Sequence, residues 1–235
     1  MVAFPLSDDK VLCMLVLYHL PMCPFARKVR VVLAEKGFDF QLVAEEVWRR
    51  RPEFLTLNPT GEVPVLVNDT GYAIADSVAI TEYLDECQSD PPLIGNNLTE
   101  RAEVRRLVAW FDVKFQVEVT RNLVDQKIDK WLMGRGEPSS AALRAGGTNL
   151  HTHMDYINYL TEHRHWLAGE VYTMADIAAA AQISCVDYLG DVPWEDYAPA
   201  KRWYARIKSR PTFRPLLADR IPGLSPPKHY ADLDF

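Results

Sequence analysis

Cysteine is scarce in this chain: four thiols, Cys13, Cys23, Cys87 and Cys185, are spread over 235 residues with no Cys-x-x-Cys pair and no metal-ligand spacing. That excludes a disulfide framework and a dithiol exchange centre, and in a reducing compartment the four read as thiols, three of them in the core. Positive charge is also short. Lys and Arg number 26 against 32 Asp and Glu, a formal net charge of −6, which argues against nucleic acid as a partner because a phosphate backbone calls for a basic face. No apolar run approaches the roughly 20 residues of a membrane span, since Met14 to Leu17 is soon broken by polar residues. The opening residues set Asp8, Asp9 and Lys10 between short apolar pieces, unlike a cleavable signal peptide, so the expected address is cytoplasmic. What remains is an ordinary globular composition, 48% apolar and 25% charged, long enough for two modest domains.

The first third mixes period-2 and period-3.6 patterns, as a sheet with crossover helices does. Met14 to His19 reads as a buried strand. Pro24 to Lys36 reads as an amphipathic helix, with Val29, Val32 and Leu33 inward, Arg27, Lys28 and Arg30 between them, and Gly37 ending it. Phe38 to Val43 is a second strand. Glu62 to Val67 and Tyr72 to Ile74 form a hairpin around Asn68-Asp69-Thr70-Gly71, and Asp76 to Cys87 is helical again. Beyond the polar stretch Gln88 to Asn97 the period-2 signal disappears, which places a domain boundary there. A long helix is expected from Thr99 to about Lys130, with Leu107, Trp110, Phe111 and Phe115 on one side, followed by helices over Leu143–Glu162, Ile177–Tyr188 and Ala198–Ser209. Thr173-Met-Ala-Asp176 is a capping box in front of an alanine-rich helix suited to burial on all sides. The division is therefore 14–88, an α/β domain; 98–220, an all-helical domain; and 221–235, a proline-containing tail expected to be extended.

Four groups of residues carry candidate chemistry. Cys23 lies between the first strand and the first helix, where helix amides and the nearby Arg27 and Lys28 favour thiolate; Tyr18 and His19 are alternative donors close by, although Tyr18 reads equally as a packed strand aromatic. Val63-Pro64 opens a strand, and a cis bond there would offer the backbone of Val63 to a peptide-like ligand. Asp76-Ser77 is either a plain helix start or, at a helix N-terminus, a site for the amino-acid end of a ligand. Trp48, beside Arg49, Arg50 and Arg51, is either part of a solvated charged face or a protruding contact residue, and the aromatic and acidic chain end is either frayed or a contact surface. His151, His153, His163 and His165 fall in pairs two apart, on different helix faces and with no completing carboxylate or cysteine, so no metal site is expected.

CPFARKVR, LNPTGEVPVL, ADSVAITEYL and WLAGEVYTMADIAAAA, in that order, resemble the cytosolic glutathione S-transferase superfamily over nearly the whole chain. The resemblance implies a thioredoxin-like N-terminal domain, an all-helical C-terminal domain and a homodimer. It implies further that Val63, Asp76 and Ser77 occupy glutathione-binding positions and that Cys23 stands at the thiol-activating position, catalytic only if the protein is an enzyme. A narrower resemblance, carried by RAEVRRLVAWFD, SCVDYLGDVPW and the terminal PGLSPPKHYADLDF, is to glutathione-transferase-like division proteins of alphaproteobacteria. It implies a non-catalytic partner of FtsZ filaments that supports constriction and is recruited to the division site. No cofactor is then required, glutathione is an optional ligand, and Trp48, Asp232, Leu233, Asp234 and Phe235 form the filament contact. Two alternatives are a glutathione-dependent transferase or thiol reductase using Cys23 and, since CPFA also resembles stringent starvation proteins, a binder of RNA polymerase.

Overall fold

The computed structural model describes residues 14–233. β1 (Leu15–His19) lies at the centre of a four-stranded sheet of order β2-β1-β3-β4. β2 (Phe40–Ala44) runs parallel to it, pairing Leu42 with Leu17, while β3 (Val65–Val67) is antiparallel to β1 and pairs Leu66 with Leu17. β4 (Ala73–Ala75) closes the hairpin around the Asn68 turn, whose side-chain oxygen accepts from the amides of Thr70 and Tyr72. The parallel pair requires a crossover, and α1 (Pro24–Glu35) supplies it. Short α2 (Pro52–Leu57) and α3 (Ser77–Cys87) complete this part, and residues 88–97 carry no regular element. The boundaries differ from the sequence expectation by a residue or two at most ends, where the strand and helix periods overlap.

The amphipathic reading of α1 needs correction. Arg27 and Lys28 are fully buried and Arg30 nearly so, because the helix packs against α3 and against the alanine-rich helix of the second part. The guanidinium of Arg27 finds an acceptor in every direction. Nε donates to the Pro21 carbonyl at 2.6 Å; Nη1 donates to Ser184 Oγ at 2.7 Å and Tyr230 Oη at 3.0 Å; Nη2 donates to the Leu216 carbonyl at 3.3 Å and Asp219 Oδ2 at 3.2 Å. Arg30 takes the same carboxylate through both terminal nitrogens, at 2.7 and 3.2 Å. Lys28 pairs with Asp112.

The second part is helical. α4 is one continuous helix over 98–132, capped at its start by the Asn97 side chain, which accepts from the amide of Glu100 at 2.9 Å. It is underwound into π-helix over Trp110–Thr120 and again over Asp125–Asp129. Leu107, Phe111, Phe115 and Val119 form its buried stripe. Trp110, expected on that stripe, is only half-buried and donates to His153 Nδ1 at 3.1 Å. α5 (Ser140–His163) crosses α4 at Gly146, where a Cβ would come within 2.8 Å of Asn122 and Leu123, so only glycine permits the approach. α6 (Met174–Tyr188) is buried along all of its length. Its capping box is present, the Asp176 carboxylate accepting from the Thr173 amide at 3.0 Å and also from Trp203 Nε1 at 2.9 Å. α7 (Ala198–Lys208) and the single turn α8 (Arg214–Leu217) follow. Among the described residues no helix is long and apolar enough to cross a membrane.

The chain end is packed rather than extended. Tyr188 Oη accepts from the Ile221 amide at 2.9 Å and donates to the Leu224 carbonyl at 2.7 Å. Lys228–Tyr230 makes one 3-10 turn that buries Tyr230 completely, edge-on to Tyr188 and bonded to Arg27. Prolines remove helix from this segment but not its buried contacts. The cysteines also differ from expectation: Cys185 is buried, donating to the Met22 carbonyl at 3.3 Å, whereas Cys87 is exposed at the end of α3, and Cys13 lies outside the described residues.

Replacing Arg27 with alanine opens a cavity beside Ser184 and Tyr230 and leaves Asp219 to Arg30 alone, and loss of one partner of a buried pair costs about 3–5 kcal/mol. Urea unfolding of Arg27→Ala is expected to show a loss of that order; a change below about 1 kcal/mol would place the anchor elsewhere.

Candidate functional site

Cys23 is the N-cap residue of α1, directly ahead of Pro24 in the first turn, with its carbonyl accepting from the Arg27 amide at 3.0 Å. Its thiol reaches the carbonyl of Val63 at 3.7 Å. The Val63-Pro64 bond is cis. The loop before it is held by Asn58, which donates from Nδ2 to the Glu62 carbonyl at 2.8 Å and accepts from the Thr60 amide at 3.2 Å. Asp76 caps α3 with a positive φ of 76°, its Oδ1 accepting from the amides of Val78 at 2.7 Å and Ala79 at 3.2 Å. Ser77 follows, buried. Cys23, Val63, Asp76 and Ser77 thus line one cleft of about 610 Å³.

The far wall of the cleft is α4, which the residue-by-residue reading of candidate chemistry did not include. Asp112, Gln116, Arg121, Asp125, Ile128 and Asp129 face it. From Asp112 to Ile128 they recur every three to five residues, a signal present in the sequence as one stripe of a helix. It was masked because nothing in the sequence says which side of α4 meets the first domain.

The electrostatics of the cleft oppose the thiolate expected at Cys23. Burial pushes the thiol up to about 12, against the helix amides of Ala26 and Phe25, which favour its charged form. The two cations counted on for activation point elsewhere, Arg27 into α6 and the chain end, Lys28 to Asp112. A neutral thiol is a weak nucleophile. The neighbouring donors do not replace it: Tyr18 packs against Phe54 at 5.6 Å, and buried His19 is lowered to about 4 by desolvation and then by Arg30. On α4, burial and then the charge of Asp129 raise Asp125 to about 7, and burial raises Asp129 and Asp112.

The residues assigned to a filament contact lie outside this cleft. Trp48 sits in a 3-10 turn, Val47–Arg49, and is half-buried rather than protruding. The adjacent arginines are partly neutralised, Arg49 by Glu46 and Arg51 by buried Glu45. Asp232 is exposed and borders a second groove with Trp194, Lys201 and His229, and Leu233 packs on the core. Asp234 and Phe235 lie outside the described residues. The histidines have structural partners: His151 meets Tyr197 Oη at 3.0 Å, His153 meets Glu118 at 3.0 Å, His163 meets the Tyr159 carbonyl at 2.7 Å and His165 meets Arg206 at 3.2 Å. No group of three or more metal-ligating side chains gathers among the described residues.

Family models of the glutathione S-transferase N-terminal and C-terminal domains match residues 22–87 and 148–211. FtsZ-localized protein A of Caulobacter vibrioides is 48% identical over 222 residues, 93% of this chain and 97% of that protein. The crystal structure of a glutathione S-transferase from Rhodospirillum rubrum F11 superposes with a TM-score of 0.93 at 55% identity, covering 94% of this chain and 100% of that one. The structure of FzlA from C. crescentus gives a TM-score of 0.91 at 48% identity, with the same coverage.

Two measurements follow from the cleft. With iodoacetamide at neutral pH, peptide mapping is expected to show Cys23 alkylated at least roughly tenfold more slowly than exposed Cys87; equal rates would contradict a neutral thiol. Because the folded pKa of Asp125 stands above its unfolded value, the stability it lends is complete below about pH 4 and is lost as pH rises through about 7. Asp125→Asn is therefore expected to be more stable than the parent at pH 8 by on the order of 2 kcal/mol, with the difference gone or reversed near pH 4, in thermal melts across that range.

Proposed function

The chain belongs to the glutathione S-transferase family, and from that premise we propose that it acts as a homodimeric, non-catalytic binder of FtsZ filaments that supports cell constriction from the cytoplasmic side of the division site. The observation that carries this reading is similarity along nearly the whole of both chains, at 48% identity, to a protein named for its localisation with FtsZ. The cleft supports the non-catalytic part. Its thiol is pushed up to about 12, and the carboxylate of Asp76, which would meet the ammonium of glutathione, already accepts from two amides of α3. Trp48 and Asp232 lie off the cleft, so a filament could be gripped without closing it. A fold can keep ligand-shaped residues as caps and packing after the chemistry is lost.

A second reading, glutathione-dependent transfer at Cys23, is favoured by one observation: Cys23, the backbone of Val63 and the hydroxyl of Ser77 border the same cleft. Ser77 suits a carboxylate at the start of α3 and Val63 a peptide backbone. Retention on immobilised glutathione, with transferase activity lost in Cys23→Ser, would favour it.

Co-sedimentation with GTP-polymerised FtsZ tests the first reading. Truncation of the chain end is unsuitable, since it removes Tyr230 from Arg27. Asp232→Lys and Trp48→Ala are expected to weaken pelleting roughly tenfold with the melting temperature retained. The parent protein staying in the supernatant would overturn the proposal.

A further inference from the structure

One histidine joins α5 to α4 at the stretch where α4 is underwound. His153 has no exposed surface, and both of its ring nitrogens are engaged with α4. Nδ1 lies 3.1 Å from Trp110 Nε1, and Nε2 lies 3.0 Å from the Glu118 carboxylate. An indole N–H can only donate, so Nδ1 carries no proton and the one ring proton sits on Nε2, donated to Glu118. Trp110 and Glu118 stand near the two ends of the π-helical stretch Trp110–Thr120. The neutral ring therefore bridges that stretch from outside.

The seam between the two helices is built around this bridge. The Glu118 carbonyl accepts from the side-chain amides of Asn149 at 3.0 Å and Asn122 at 2.9 Å. Its carboxylate also pairs with Lys114, whose Nζ lies 5.6 Å from the centre of the Trp110 ring. Phe115 meets the imidazole edge-on at 4.9 Å, and Tyr156 lies against Trp110 at 4.6 Å with its hydroxyl accepting from Arg106. The charged groups that act on His153 are Glu118 and Lys114, both on α4, while the neighbouring His151 of α5 turns to Tyr197 ahead of α7. Burial lowers the hold of the imidazole on a second proton, against Glu118, which favours the charged form, and together with Lys114, which opposes it. A proton on Nδ1 would set two donors head to head with the indole, so the bond to Trp110 exists only while the ring is neutral. Long π-helical winding is rare and often marks functional sites, and this stretch also carries Asp112 and Gln116, which border the cleft.

We propose that His153 is a pH-sensitive staple: as the neutral ring it holds the underwound stretch of α4 near both ends, and on taking a second proton it lets go of Trp110 and loosens the stretch together with the part of the cleft wall that bears Asp112 and Gln116. The staple is complete above the ordinary imidazole range near 6.5 and is lost as pH falls below it. It acts on the scaffold and does not depend on filament binding.

NMR spectra of the full chain with isotope-labelled tryptophan test the bridge, the indole N–H peak of Trp110 being identified by its absence in Trp110→Phe. Between about pH 7.5 and about pH 4.5 that peak is expected to move upfield in one step centred below about 6.5. The step is expected to vanish in His153→Gln, whose amide oxygen can still accept from the indole but does not titrate. Across the same step, amide hydrogen exchange over 110–120, corrected for its intrinsic pH dependence, is expected to quicken roughly tenfold relative to 98–109, the scale of one hydrogen bond. A Trp110 peak that stays in place in the parent protein would overturn the proposal, and so would a step that survives His153→Gln or one that leaves the exchange of 110–120 unchanged. Should His153→Gln lack a cooperative melt, labelled histidine in the parent decides: protonation of His153 Nδ1 at the midpoint of the Trp110 step supports the staple, and a different midpoint refutes it.

Discussion

A guanidinium with no exposed surface is stable only if each of its N–H groups has an acceptor, and the fold is arranged around that requirement at Arg27. Its acceptors come from the loop before α1, from α6, from the turn α8, from Asp219 and from Tyr230 near the chain end. Five separate pieces of chain are fixed by one planar group. The desolvation of such a charge is expensive, so these pieces are in place together. The position of α1 against α6, and hence of the sheet against the helical part, follows from this constraint. Arg30 reinforces it by sharing Asp219.

The same helix sets the geometry of the cleft. Arg27 holds the carbonyl of Pro21 and so the loop that carries Cys23, and Lys28, the next residue, reaches across to Asp112 on α4. One face of α1 therefore anchors the near wall and another draws in the far wall. Burial holds the Cys23 thiol well above the usual thiol range, and the two cations that could have offset it are committed to joining the two parts. Activation of the thiol and anchoring of the domains compete for the same two side chains, and here anchoring prevails.

The cleft and the residues proposed for partner binding occupy different places. Trp48 lies beyond β2, an edge strand, and Asp232 lies beside the groove under the chain end. Nothing in the packing makes one depend on the other, except that both rest on the α1 anchor, Asp232 through Tyr230. A surface contact at these positions would leave the cleft open. The functional identity resides in these sites and not in the scaffold.

The sequence by itself determined the element order, the helical second part, the capping box at Thr173 and the closeness of Cys23, Val63, Asp76 and Ser77, since these follow from local periodicity, turn chemistry and motifs that resemble a known family. Tertiary structure alone decided the rest. Arg27 and Lys28 read as solvent-facing because periodicity shows which residues are apolar, not whether a second layer covers the polar face. The chain end read as extended because prolines forbid helix, whereas Tyr230 is buried and its hydroxyl accepts from Arg27, a residue far earlier in the chain. The acidic wall at Asp125 and Asp129 was a visible helical stripe whose orientation only packing of α4 against the first domain could fix. Local propensity is written in neighbours along the chain; burial and charge state depend on neighbours in space, and those are set by which faces meet.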